Sequence, residues 1–131
     1  MKNNKIIGNE FEKEFALYLQ EKGMFVYNLP NKSTGQPFDI IATKNNVFYG
    51  FECKHCKGNV FSLSRVEDNQ VQVFKKLQKS NTNNYYFVFK CEVFNTIKFC
   101  EADYIIDCLR YMRKNIDLSV LKDIEELEAL L

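Results

Sequence analysis

The chain has 131 residues, of which 46% are hydrophobic and 15% aromatic, and its formal net charge is +1. This length suits one domain with a single compact core, and the apolar content excludes a disordered chain. No apolar run is long enough to span a membrane and the first residues lack a secretory apolar region, so we expect a cytoplasmic protein with no membrane partner. Residues 1–100 carry 14 Lys/Arg against 9 Asp/Glu, whereas residues 101–131 carry 4 against 8. The first hundred residues are therefore the part suited to a polyanion.

The first half of the chain predicts a helix followed by three strands. Apolar residues recur at helical spacing up to a glycine stop, and β-branched and aromatic runs follow, separated by turn formers. The tight turn Asn45-Asn46 predicts a hairpin between the second and third strands. The predicted elements are a helix over 5–22, a strand over 24–29, a polar loop over 30–37, and strands over 38–43 and 47–55.

The second half predicts more strands and helices in alternation. The dense aromatic run at 85–91 is typical of a buried central strand, and the last thirty residues show helical spacing of apolar side chains. A sheet with helices on its faces, an α/β fold in a single domain spanning 1–131, follows from this order. The predicted elements are a polar loop over 57–64, a helix over 66–79, strands over 85–91 and 96–100, and two C-terminal helices over 102–114 and 118–131.

Two carboxylates and an ammonium fall on the predicted hairpin. Glu52 and Lys54 are two residues apart and share a strand face, and Asp39 lies on the neighbouring strand. One interpretation is a solvated pair on an exposed face. The surrounding aromatic and aliphatic residues favour the other, in which the charges sit in a recess, where desolvated carboxylates need a cation. Such a cluster suits a hard divalent metal and an activated water beside it.

The order of these residues resembles a known nuclease superfamily. Gly8-x-x-x-Glu12, then Asp39, then Glu52-x-Lys54 is similar to the PD-(D/E)xK nucleases, and within them to the Holliday junction resolvases of the RecU-like type. The segment from Phe61 to Val66 followed by Asn69-Gln70, and the ending from Arg113 to Leu118, extend the resemblance over nearly the whole chain. It implies a restriction-endonuclease-like mixed β-sheet flanked by helices.

The resemblance also implies roles for individual residues. Asp39, Glu52 and the backbone carbonyl of Cys53 would ligate Mg²⁺, for which Mn²⁺ would substitute. Lys54 would orient or deprotonate the attacking water. Glu12 would hold the metal directly or through water, although a carboxylate on a charged helix is commonly a solvated one.

Several further residues are candidates for catalysis or for contact with DNA. Gln70 would contact metal-bound water or phosphate, or is a plain exposed helical glutamine. Ser62, Ser64 and Arg65 precede the predicted helix and suit phosphate oxygens. Ser64 also fits an N-cap with Glu67 at N3, a capping box compatible with the first role. The other candidates lie in the polar loop, which is either a DNA-contacting loop or an ordinary linker: Lys32, Ser33 and Thr34.

The cysteines offer a competing interpretation. Cys53 and Cys56 flank His55, the single histidine, as in a partial zinc motif. On a continuous strand, however, the two thiols face opposite ways, and no second Cys/His pair has ligand spacing. The same alternation puts His55 on the Cys53 face, away from the proposed site. We therefore expect the five cysteines to be buried thiols.

The resemblance favours a metal-dependent endodeoxyribonuclease that resolves four-way DNA junctions by paired nicks in recombination. Because two symmetric cuts are needed, it implies a homodimer. One alternative is another DNA endonuclease of the superfamily, either restriction-like or for repair, since the same metal site serves all of them. A different class is a non-catalytic DNA-binding recombination accessory factor, and a third is a zinc-bound interaction module.

Overall fold

The computed structural model describes residues 3–28, 38–80 and 83–129. The described helices and strands are, in chain order, α1 (Asn4–Glu21), β1 (Phe25–Asn28), β2 (Ile40–Lys44), β3 (Val47–Cys56), β4 (Val60–Ser62), α2 (Asp68–Lys79), β5 (Tyr85–Cys91), β6 (Thr96–Glu101), α3 (Ala102–Arg110), β7 (Asn115–Asp117), β8 (Lys122–Asp123) and α4 (Ile124–Glu128). Within these ranges no helix combines the length and apolar character needed to cross a bilayer.

Six strands of the described residues form one mixed sheet, in the order β1-β2-β3-β5-β6-β8. β3 and β5 are parallel, and the other neighbouring pairs are antiparallel. The short strands β4 and β7 form a separate antiparallel pair. The predicted α/β fold with a mixed sheet flanked by helices is confirmed.

The hairpin of β2 and β3 is the part of the fold that positions the carboxylates. Asn45 and Asn46 both adopt a left-handed backbone, with φ of 54° and 65°. A two-residue type I′ turn requires that conformation, and asparagine tolerates it better than most residues. The turn sets the register in which Ile40 lies opposite Phe51. The residue before β2 therefore lies beside the middle of β3.

Apolar side chains cover both faces of the sheet. On one face Phe15 of α1 contacts Phe51 of β3, with ring centroids 5.2 Å apart, and α4 packs nearby. On the other face Phe74 of α2 contacts Phe87 of β5 at 5.4 Å, beside α3. A central strand buried on both faces is the environment that the dense aromatic run predicted. The polar groups of the site are thus set into a nonpolar surrounding.

Two predicted elements differ from the structure. The segment predicted as the loop 57–64 contains the short strand β4, which pairs with β7, and a 3₁₀ turn over Leu63–Arg65. Ser64 is not the N-cap of α2, because the helix begins only at Asp68 and Glu67 is its capping residue. The capping box does form, with Gln70 rather than Glu67 at N3. The 3₁₀ turn moves the start of the helix downstream.

The C-terminal helix predicted over 118–131 is also wrong in its extent. The chain forms a 3₁₀ turn over Leu118–Val120, pairs briefly with β6 through β8, and becomes helical only in α4. Asp117 stabilises the 3₁₀ turn by accepting hydrogen bonds from the backbone N–H and hydroxyl of Ser119, at 2.9 and 2.7 Å. Apolar residues spaced three apart suit separate single turns as well as one helix, so the pattern did not distinguish them. The helix predicted to reach residue 114 ends at Arg110.

Candidate active site

Asp39 is held beside β3 by two hydrogen bonds. Its backbone N–H donates to the carbonyl oxygen of Phe51 at 2.8 Å. Its Oδ2 accepts from the backbone N–H of Cys53 at 2.9 Å. Because the residue between these two partners is Glu52, the second carboxylate lies next to the first. The hairpin register therefore brings together the predicted pair from positions thirteen apart in the chain.

Glu52 is buried, with an exposed fraction of only 4%. Its Oε1 lies 3.3 Å from Nζ of Lys54, and Lys54 also donates to the carbonyl oxygen of Arg65 at 3.3 Å. Oε2 of Glu52 has no hydrogen-bond partner among the described residues, although Gln70 lies close enough to oppose the rise in the pKa of Glu52. A buried carboxylate oxygen without a donor is costly, and the chemistry of this oxygen fits a cation.

The electrostatics of the cluster show that its negative charge is not compensated by the protein. Burial and then the charge of Asp39 raise the pKa of Glu52 to about 8, against the pull of Lys54. Burial also raises the pKa of Asp39, although the Cys53 N–H and Lys54 oppose this. Burial and Asp39 raise the pKa of Glu12 to about 7. Three carboxyl groups that resist ionisation favour a bound cation, which would stabilise their charged forms.

A cleft of about 580 Å³ gives solvent access to these groups. Glu12 on α1, Asp39, Glu52, Lys54 and Arg65 all line it. Among the described residues, no three His, Cys, Asp or Glu side chains lie close enough together to bind one metal ion. Asp39 and Glu52 lie side by side at β2 and β3, and Glu12 lines the same cleft from α1. A water-mediated role suits that placement of Glu12.

Gln70 is placed at the site rather than on an exposed helix face. Its exposed fraction is 5%, and it is close enough to Glu52 to lower the pKa of that carboxyl. Its side-chain oxygen accepts from the backbone N–H of Glu67 at 3.2 Å, while Glu67 accepts from the N3 backbone in return. The interpretation of Gln70 as a plain exposed glutamine is therefore wrong.

The candidate DNA contacts fall partly within the described structure. Arg65 lines the cleft, with its guanidinium carbon 5.3 Å from the centroid of the Phe61 ring. The hydroxyls of Ser62 and Ser64 lie 2.8 Å apart and are not blocked by burial. The other candidates lie outside the described residues: Lys32, Ser33 and Thr34.

Sequence reasoning placed His55 away from the site and did not consider Lys57, but both line the cleft. His55 lies with its Nε2 3.5 Å from a carboxylate oxygen of Glu92. Strand alternation does assign His55 to the face opposite Lys54, yet residues from both faces of β3 line the cleft. His55 and Lys57 directly follow the Glu52-x-Lys54 motif in the chain, and this position is the sequence signal that would have identified them.

Zinc binding is not supported by the positions of the thiols. Cys53 packs in the core on the α1 face, and Cys56 packs in the core on the α2 face. Both are free and buried, as are the other three cysteines, as the sequence predicted. Two thiols on opposite faces of a sheet cannot share one tetrahedral ion.

Comparisons with known structures agree with this fold. The structure of Hjc from Archaeoglobus fulgidus, a Holliday junction resolvase from an archaeal hyperthermophile, superposes with a TM-score of 0.67 at 18% identity, covering 92% of this chain and 99% of that one. The structure of D212, a nuclease from a fusselovirus, gives 0.60 at 12% identity, covering 98% of this chain and 93% of that one. No curated protein sequence shows significant similarity to the chain.

The mixed sheet has a restriction-endonuclease-like fold, and Asp39, Glu52 and Lys54 line one cleft in it. The family model of the archaeal Holliday junction resolvases (Hjc) matches residues 3–131. The chain therefore belongs to that family, and the expectation of a Holliday junction resolvase of the nuclease superfamily is confirmed. The matching family model is the archaeal one, although the motifs resembled the RecU-like type.

Proposed function

We propose that the chain resolves four-way DNA junctions in recombination by divalent-metal-dependent hydrolysis, with Mg²⁺ as the cation and Mn²⁺ as a substitute. One observation supports this most directly. Within the described part of the chain, Oε2 of the buried Glu52 has no hydrogen-bond partner, while Oε1 of the same carboxylate lies 3.3 Å from Nζ of Lys54 and the half-buried Asp39 lies alongside. Family membership supplies the substrate class, a Holliday junction.

The residues at the site fit a hard cation. Carboxylate and carbonyl oxygens are the ligands that Mg²⁺ prefers, and Asp39, Glu52 and the backbone carbonyl of Cys53 would supply them. When bound, the cation would supply Lewis-acid polarisation of the phosphate and a more acidic water. Glu12 would hold a water of the same site from the wall formed by α1.

Lys54 is the group that would handle the attacking water. Its Nζ is held between Glu52 and the carbonyl oxygen of Arg65, so the ammonium has a fixed position in the cleft. As an ammonium it would orient the water and offset charge that develops on the phosphate, whereas only its neutral amine form would deprotonate the water. Gln70 would hold Glu52 or its water in place, because it lies against that carboxyl.

The DNA backbone would meet the rim of the cleft. Arg65 suits a phosphate because its planar guanidinium donates several hydrogen bonds, and its contact with Phe61 limits its motion. The hydroxyls of Ser62 and Ser64 would add neutral donors. The loop with Lys32, Ser33 and Thr34 would provide further contacts.

Resolution by paired nicks requires two active sites, so we propose a homodimer. A single cleft of this size holds one scissile phosphate, whereas resolving a junction calls for symmetric cuts in two strands. A two-fold dimer matches the approximate two-fold symmetry of the junction. Sedimentation of the protein, free and bound to a junction, tests this directly; a monomer in both states would contradict it.

The decisive experiment compares cleavage of a four-way junction and of linear duplex of the same sequence by wild type and Glu52→Gln, with Mg²⁺ or EDTA. We expect the wild type to nick the junction in symmetric pairs with Mg²⁺ only, and Glu52→Gln to bind the junction without cutting it. Glu21→Gln, at the exposed C-terminal end of α1, serves as the matched control and should cut normally.

Two outcomes would contradict the proposal. Equal cleavage of junction and duplex would indicate a different endonuclease of the superfamily. Junction binding without any Mg²⁺-dependent cleavage by the wild type would indicate an accessory factor.

A further inference from the structure

The turn between β5 and β6 lies at the edge of the sheet that the catalytic cleft adjoins. β3 and β5 are parallel and end level in register, so the segments that follow them share that edge. The backbone N–H of Val93 donates to the carbonyl oxygen of Lys57 at 3.2 Å, and Glu92 lies 3.5 Å from His55. Lys57 and His55 both line the cleft. The turn is therefore a neighbour of the active site.

An exposed aromatic ring stands on this turn. Phe94 has an exposed fraction of 59%, although it is a large apolar side chain in a well-defined turn, closed by a hydrogen bond from the Asn95 N–H to the Glu92 carbonyl at 3.2 Å. The ring borders a recess of about 330 Å³. An aromatic wall beside hydrogen-bonding groups suits a flat heterocycle with polar edges. The other lining residues are Asn59, Thr96, Lys98, Ser119 and Asp123.

The charges around the recess favour a neutral base over a phosphate. Lys98 is already paired with Asp123, with Nζ 2.8 Å from the carboxylate oxygen. The Asn59 amide donates to Asp117 at 3.0 Å, which places a second carboxylate nearby. Two carboxylates against one paired ammonium repel an anion. The same oxygens can accept from the exocyclic amines of a base.

Along the strand direction, the turn between β5 and β6 lies close to the level of Lys54. Lys54 lies opposite Phe89 in the sheet, and β5 continues for two more residues beyond that point. At about 3.3 Å per residue, the turn begins roughly 7 Å beyond the level of Lys54. The turn therefore begins just beyond the level of Lys54 along the strand direction, and the recess lies at β6, which is separated from β3 by the neighbouring strand β5.

We propose that Phe94 stacks against a nucleobase displaced at the branch point of the junction, and that the recess beside it accommodates that base. Stacking between base pairs is interrupted at a branch point, so a base there is extruded at a lower cost than one inside a continuous duplex. Phe94 is then a specificity-determining residue that favours branched over linear DNA. This inference rests on the proposed function, because it takes the junction as the substrate.

The test measures binding of Phe94→Ala to a four-way junction and to linear duplex in EDTA, where no cleavage occurs. We expect roughly 5- to 160-fold weaker junction binding, the range found for removal of a base-stacking aromatic, with the affinity for duplex unchanged. Phe94→Trp should restore junction binding because it keeps a stacking face. Tyr111→Ala removes another exposed aromatic, 78% exposed after α3, and should leave both affinities unchanged.

A photo-crosslink identifies the base in contact. Junctions with 5-iodouracil at the branch point should crosslink to Phe94 in the wild type, and linear duplex with the same substitution should not. Unchanged junction affinity in Phe94→Ala, or an equal loss for junction and duplex, would overturn the proposal. Because binding is measured without metal, failure of the wild type to cleave would contradict the proposed function and leave this result interpretable.

Discussion

The carboxylate of Asp39 accepts a hydrogen bond from the backbone N–H of Cys53 at 2.9 Å. This bond links the residue before β2 to β3. It fixes the side chain of Asp39 relative to Cys53, which directly follows Glu52. The carboxylate therefore has a structural role in the hairpin as well as its proposed catalytic role. Substitutions that separate charge from hydrogen bonding distinguish the two.

We expect Asp39→Asn to abolish Mg²⁺-dependent cleavage while it keeps the fold and junction binding. The amide oxygen of asparagine can still accept from Cys53, but it lacks the charge to hold a divalent cation. Asp39→Ala removes the acceptor too and leaves a partly buried N–H unpaired, which costs about 1–3 kcal/mol of stability. Urea unfolding and junction cleavage, measured on both variants, separate these effects. Cleavage by Asp39→Asn at the wild-type rate would show that the metal is held elsewhere.

Glu12→Gln is expected to slow cleavage less than Glu52→Gln does. Glu12 reaches the cleft from α1, where burial and the charge of Asp39 raise its pKa, whereas Glu52 is almost fully buried. A residue that acts through water can be replaced by an amide with partial retention of its hydrogen bonds. Single-turnover cleavage rates at several Mg²⁺ concentrations provide the measurement, with Glu21→Gln as the control on the same helix. Equal loss in both variants would place Glu12 among the direct ligands.

Gly50→Ala should destabilise the protein by about 1–3 kcal/mol, the usual cost of overpacking a core. An added Cβ would lie 2.6 and 2.8 Å from two ring atoms of Tyr85 and 3.3 Å from the ring of Phe38, both of which are buried. Because Phe38 directly precedes Asp39, its displacement should also reduce cleavage. Gly58→Ala is the matched control, since its Cβ meets nothing within 4 Å. Urea unfolding of the two variants decides; equal stability would show that Tyr85 moves aside without cost.

The sequence predicted the β2–β3 hairpin because residues close together in the chain determine it. The Asn45-Asn46 turn sets the register, and the two-residue period of a strand then puts Glu52 and Lys54 on one face. The sequence left two placements of Gln70 open, at the site or exposed on the helix, because the choice depends on how α2 packs across the sheet. The same limit applies to His55, because strand alternation does not show that residues from both faces of β3 line the cleft.

The C-terminal region was mispredicted because competing local interactions decide it. Asp117 caps a 3₁₀ turn and Lys98 pairs with Asp123 at 2.8 Å, so the chain departs from the helix that its apolar spacing allowed. The spacing of apolar residues does not reveal strand partners or side-chain caps. The proposed dimer and the proposed base recess depend on a second molecule, so patterns within one chain do not predict them.

The metal-free protein should lose stability as the pH rises from about 4.5 to about 8. In the folded state the pKa values of Glu12 and Glu52 are raised to about 7 and about 8 from ordinary values of 4.5. Between these limits the folded state binds more protons than the unfolded one, so the free energy of unfolding falls with increasing pH. The stabilisation that these two carboxyl groups contribute is complete below pH 4.5. It is lost as the pH rises through their folded-state pKa values of about 7 and about 8.

Urea unfolding in EDTA at several pH values measures this slope. Glu52→Gln removes one of the three carboxyl groups with a raised pKa, so its stability should fall less over the same range, while Glu21→Gln should follow the wild type. Mg²⁺ should counteract the fall most at high pH, because a cation that binds only the folded, ionised site stabilises that state. A wild-type slope that Glu52→Gln leaves unchanged would mean that the Glu52 carboxyl is already ionised at pH 5 in the folded protein.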